Sequence, residues 1–117
     1  MKVENVTRGS ALGDRVAVAD SWWKRLRGLS GSRRLEPGEG LLLEPCRAVH
    51  MFGMRYPIDV AFLARDGAVV ALYPALAPGA RTRYHREARS ALELPAGTLA
   101  TSGTVPGDRI LCSVQEA

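Results

Sequence analysis

The chain has 117 residues, 46% of them apolar, two cysteines and a formal net charge of +4. That is enough for one domain, 1–117, with its own core, and no run approaches the ~20 apolar residues a bilayer crossing needs. The stretch Met1-Lys2-Val3-Glu4-Asn5 has no apolar run of signal-peptide length, and two cysteines suit a reducing compartment, so the expected setting is cytoplasmic, with no membrane association.

Taken in chain order, Val3 to Val18 reads as two short strands joined by a turn over Gly9–Gly13. Asp20 then suits an N-cap. Ser21 to Arg27 follows as a short helix, with Trp22, Trp23 and Leu26 near helical spacing and Gly28 at its end. Pro37-Gly38-Glu39-Gly40 is a turn, and Leu41-Leu42-Leu43 begins a buried strand. Ile58 to Ala64 and Ala68 to Tyr73 form a hairpin closed at Asp66-Gly67, read as a type I′ turn. That turn sets Phe62 against Ala71 and Leu63 against Val70. Both strands are apolar on both sides, which places the hairpin inside the sheet. Residues 77–89 form a polar, arginine-rich loop. Ala91-Leu92-Glu93-Leu94 is another strand, Pro95-Ala96-Gly97 leads to a helical turn near Leu99, and Arg109 to Val114 closes the sheet after the turn at Pro106-Gly107-Asp108. The fold class is α+β: a mostly antiparallel, strongly bent, barrel-like sheet with one or two short helices.

Cys46, His50 and Met54 recur every four residues and would share one strand face with Ala48 and Phe52. A thiol, an imidazole and a thioether are soft or borderline metal ligands. Their order resembles the ligand loop of blue-copper proteins, but the second, upstream histidine is missing and the other histidine, His85, lies downstream. The inventory is too short for zinc as well, so the expectation is no metal and no cofactor, with Cys46 and Met54 filling space and His50 hydrogen-bonded. A Cys46–His50 nucleophile and base is the enzymatic alternative, although no oxyanion-hole motif accompanies it. Asp59, on the face of Ala61 and Leu63, opens an apolar strand. A carboxylate there needs donors, and backbone amides near the Tyr56-Pro57 turn, Arg55 or His50 are the candidates. Glu93, between two leucines, poses the same question.

Fourteen of the sixteen basic residues are arginine. One cluster is Lys24, Arg25, Arg27, Arg33 and Arg34; the other is Arg81, Arg83, Arg86 and Arg89, with Tyr84 and His85. Such charge favours an anionic ligand or an acidic protein. No nucleic-acid motif and no glycine-rich phosphate loop is present, which disfavours nucleic acid.

From about Val16 to Ile110 the chain resembles the family known as domain of unknown function 192. The resemblance is carried by Trp23-Lys24-Arg25-Leu26-Arg27-Gly28-Leu29, Gly40 to Leu43, His50 to Leu63, Leu92 to Gly97 and Gly107-Asp108. It implies an α+β, barrel-like fold and no established activity. Many relatives are exported and carry an aromatic-Met-Lys-Asn segment where this chain has Val49-His50-Met51-Phe52-Gly53. The chain therefore looks like a cytoplasmic branch, and chemistry on Cys46 and His50 would belong to that branch alone.

Two functions follow as expectations. The first is a non-catalytic ligand- or protein-binding module, with Cys46, His50, Phe52, Met54 and Asp59 lining a concave face beside Arg81, Arg83, Arg86 and Arg89, and no catalytic residue. The second is a metal-binding or thiol-dependent enzyme built on Cys46 and His50. A third surface, the Trp22/Trp23 helix, would serve protein contacts if a tryptophan were exposed.

Overall fold

The computed structural model describes residues 1–19 and 34–114. The expected helix over Ser21–Arg27, its tryptophans and most of the first basic cluster lie outside those residues.

Eight strands and one short helix are described: β1 (Lys2–Asn5), β2 (Ser10–Gly13), β3 (Arg15–Ala19), β4 (Glu39–Leu43), β5 (Ile58–Leu63), β6 (Val69–Leu76), β7 (Ser90–Pro95), α1 (Thr98–Ser102) and β8 (Ile110–Ser113). They form two sheets, one of three strands in the order β2-β1-β8 and one of five in the order β3-β4-β7-β5-β6. Pairing is antiparallel except between β3 and β4. The chain is therefore α+β, but its described strands divide into two sheets and close no barrel. The division also revises the first segment: the stretch read as a turn contains β2, and the N-terminal part is three strands. The last strand does not close the larger sheet; β8 pairs with β1.

Alternation along the central strands builds two cores. Ala61 and Leu63 of β5, with Leu92 and Leu94 of β7, face Val3, Leu12, Leu99 and Ile110 in the space shared with the smaller sheet and α1. Ile58, Val60 and Phe62 of β5, with Ala91 of β7, face Val49, Met51, Tyr56 and Ala88 on the other side. β5 is buried along its whole length, which explains why it reads as a continuous apolar run. β6 carries the same composition but is an edge strand. Its apolar side chains divide between the two cores, Val69 and Leu72 in the first and Val70, Ala71, Tyr73 and Leu76 in the second, while one backbone edge stays outside.

The hairpin joins β5 to β6 as expected and differs in detail. Phe62 pairs with Ala71, but Leu63 pairs with Val69, one residue off the expected register. Gly67 has φ 89° whereas Asp66 does not enter the positive region. The amide of Gly67 donates to Ala64 O, and that of Ala64 to Ala68 O, both at 2.9 Å. This is a three-residue loop, a turn followed by a left-handed glycine, which adds a bulge and shifts the pairing by one.

Candidate functional site

The segment after β4 is not a strand, yet it alternates. Val49 and Met51 are buried in the second core, and Ala48, His50 and Phe52 are exposed. The segment runs beside the arginine-rich loop and is tied to it by backbone hydrogen bonds. Cys46 N donates to Arg89 O (3.0 Å), His85 N to Arg47 O (2.7 Å), Thr82 N to Val49 O (2.9 Å) and Met51 N to Ala80 O (2.7 Å). Val49 N donates to Thr82 Oγ1 (3.0 Å) and Arg47 Nε to Ala88 O (3.0 Å). His50 and Arg81 form an isolated antiparallel bridge. Residues 46–54 and 79–89 thus form one double loop over the second core. Burial of Val49, Met51 and Ala88 turns the intervening polar side chains outward.

The expected site residues separate on this frame. Cys46 is half-buried and its thiol donates to Ala48 O at 3.2 Å. Met54 packs partly against the second core. His50 is exposed. Phe52 is 81% exposed at the tip of a turn in which Met54 N donates to Met51 O (3.1 Å) and Gly53 has φ 81°. Among the described residues no three of His, Cys, Asp and Glu gather as a metal site would need.

Asp59 lies on the opposite face of β5 from this loop. It is fully buried and accepts from Ala75 N at 2.8 Å through Oδ1, and from Gly97 N (3.1 Å) and Leu99 N (2.8 Å) through Oδ2. Backbone amides are its donors, as expected, but they come from β6 and the start of α1 instead of the Tyr56-Pro57 turn. The carboxylate fixes Ala75, at φ 47°, and the entry to α1. Its three bonds account for its burial without a ligand.

The basic residues come together more fully than the sequence indicated. Arg47, His50, Arg81, Arg83, Arg86 and Arg89 all belong to the double loop. Arg89 pairs with Glu44 at 3.5 Å. Arg81, Arg83 and Arg86 have no ion-pair partner among the described residues. Tyr84 is 64% exposed, so the double loop presents two exposed aromatic rings, Phe52 and Tyr84, and Tyr84 shares a cleft with Arg83 and Arg86.

His85 anchors this surface, a role the sequence left unread. Its Nε2 lies 2.6 Å from the Tyr73 hydroxyl, and its ring centroid lies 4.6 Å from that of the core residue Phe62. Burial, and then the charge of Arg83, lower its pKa, so the ring is neutral near pH 7 and adds no repulsion to its arginine neighbours. The signal was present as one histidine in a basic tract, but its partners are 12 and 23 positions away in sequence and belong to other strands.

Clefts among the described residues include the following three. A groove of about 830 Å³ runs between the β2–β3 corner and α1. A second, of about 500 Å³, lies between the β5–β6 loop and β8. The third, of about 430 Å³, separates β6 at Val70 and Ala71 from Arg83, Tyr84 and Arg86.

A β-rich domain of two sheets, carrying a basic and aromatic double loop on one face, is the class that fold and surface define. The chain belongs to the family DUF192, described as "Uncharacterized ACR", whose profile matches residues 3–112. Two solved structures share the fold. A protein of unknown function from Novosphingobium aromaticivorans DSM 12444 aligns with a TM-score of 0.81 at 22% identity, over 95% of this chain and 82% of its own. A protein from Sinorhizobium meliloti 1021, described as a "putative transcription regulator", aligns with a TM-score of 0.78 at 26% identity, over 94% of this chain and 89% of its own. No curated protein matches the chain significantly.

Proposed function

We propose that the protein is a non-catalytic binding module whose working surface is the double loop, and that its partner is an acidic protein segment. The observation that carries this reading is the convergence of Arg81, Arg83 and Arg86, none ion-paired among the described residues, with exposed Phe52 and Tyr84 on one hydrogen-bonded frame. Unpaired guanidinium groups offer planar, multi-donor contacts to carboxylates. Exposed rings supply contact area at low entropic cost. The backbone ties hold both in place before the partner arrives, which lowers the cost of binding. The description of the Sinorhizobium protein would point to nucleic acid. Against that, the double loop presents no helix to a groove, and the acidic-protein reading needs only the charges present.

The test is binding of polyglutamate to the full chain across a range of ionic strength. Binding should weaken as salt rises and fall about tenfold or more in Arg81→Glu/Arg83→Glu. Unchanged binding in that variant sinks the reading. The enzymatic alternative on Cys46 and His50 takes its place if purified protein carries stoichiometric zinc or copper that Cys46→Ser loses.

A further inference from the structure

β6 ends the larger sheet, and its outer edge is open along only part of its length. At its start Val69 is already engaged: its amide donates to Asp108 O (2.8 Å) and its carbonyl accepts from Gly107 N (2.9 Å). Toward its end come Pro74, which has no amide to offer, and Ala75, whose φ of 47° bends the strand and whose amide is held by Asp59. Proline and a local kink are ordinary ways of protecting a sheet edge. Between these two blocked ends lies Val70–Tyr73, with no strand partner on its outer side among the described residues. The cleft of about 430 Å³ opens at this gap, and Arg83, Tyr84 and Arg86 form its far wall.

We infer that the open stretch of β6 receives an extended acidic segment of a partner protein as an added strand, with Arg83 and Arg86 on its carboxylates and Tyr84 against its side. This rests on the double-loop reading and adds the place and the mode. Strand addition draws affinity from main-chain hydrogen bonds and specificity from alternate side chains. An edge open over four residues, beside two cations with no ion-pair partner among the described residues, supplies both. Glu87 lines the same cleft and opposes an acidic guest, so it limits affinity. A second copy of the chain is the poorer occupant, because pairing β6 with β6 would set the Arg83 and Arg86 groups of the two copies against each other. The contacts of His85 with Tyr73 and Phe62 hold the arginine wall at the edge without help from the guest.

The probe is a capped peptide, acetyl-Val-Glu-Val-Glu-Val-amide, offered to the full chain at low ionic strength while backbone hydrogen exchange is followed. Exchange should slow across Val70–Tyr73 on saturation. Affinity should fall about tenfold or more when alternate peptide amides are N-methylated, fall similarly in Arg83→Ala/Arg86→Ala, and rise in Glu87→Gln. Binding that ignores N-methylation and leaves exchange at β6 unchanged overturns strand addition while leaving the basic surface as a binding site. Failure of both the peptide and polyglutamate to bind overturns both readings. Dimerisation through β6 in the absence of peptide overturns the assigned occupant.

Discussion

Asp59 on β5 and Glu93 on β7 are both almost fully buried, yet among the described residues only Asp59 is supplied with donors. Three backbone amides meet Asp59, whereas Glu93 Oε1 has no hydrogen-bond partner among the described residues. Glu93 faces Val60 of β5 and Leu41 of β4 in register, and burial raises its pKa from 4.5 to about 7. A carboxyl whose pKa is raised on folding holds its proton more tightly in the native state. Its contribution is complete below about pH 4.5 and is lost as pH climbs to about 7, a span worth roughly 3 kcal/mol. Glu93→Gln, which cannot ionise, should therefore be more stable than the parent at pH 8 and match it near pH 4.5. Thermal melts at the two pH values decide this, and an equal difference at both counts against it. Asp59→Ala should instead lose about 1–3 kcal/mol or more at neutral pH, because three amides lose their acceptor.

At the scale of elements, legibility followed locality. The β5–β6 hairpin was readable because its turn residues and its apolar run are contiguous, and the Phe62–Ala71 pairing followed from them. The turn type was not readable: Asp-Gly serves both a two-residue loop and a three-residue loop, and the difference moved Leu63 to Val69. The edge position of β6 and the second sheet were hidden because strand order is set by pairings between distant segments, which leave no local pattern. The double loop was hidden for the same reason, as its ties are mostly backbone bonds and any sequence can make them. Of the expected site, the arginines were found and their assembly with Phe52 was foreseen only as proximity to a concave face. Gly67 tests the hairpin directly. Its φ is 89°, and a Cβ there would come within 2.4 Å of Ile110 O, a backbone atom that cannot rotate away. Gly67→Val should destabilise by about 2 kcal/mol or more, combining the left-handed penalty with displacement of β8. A denaturation midpoint equal to the parent's would contradict this geometry.

Across the whole molecule, a polar knot ties β1 and the β1–β2 turn to the loop between α1 and β8. Asn5 Nδ2 donates to Thr104 Oγ1 (2.9 Å) and to Asp108 Oδ2 (3.0 Å), and Arg8 Nε donates to the same carboxylate oxygen at 2.9 Å. Bonds from Arg8 and then Asn5 bring the Asp108 pKa down to about 2. The contribution of Asp108 is therefore present above its ordinary value of 3.8 and lost as pH falls toward 2, the opposite sense to Glu93. Together the two groups place the stability maximum on the acidic side of neutrality, near pH 4–5. Melting temperatures at pH 2.5, 4.5 and 7.5 should rise and then fall, and a steady rise from 2.5 to 7.5 would remove Glu93 from the account.

That knot also sets an order on biosynthesis. β1 is the middle strand of its sheet, and its partners are β2, a few residues later, and β8, about a hundred residues later. A nascent chain emerging from the ribosome can pair β1 with β2 alone. The other edge of β1, with Asn5 and Arg8 beside it, must wait in water until residues 104–113 have been made. Nucleation is then left to β5, β6 and β7, whose pairings close smaller loops, and β1, translated long before β8, is among the last strands to be secured on both edges.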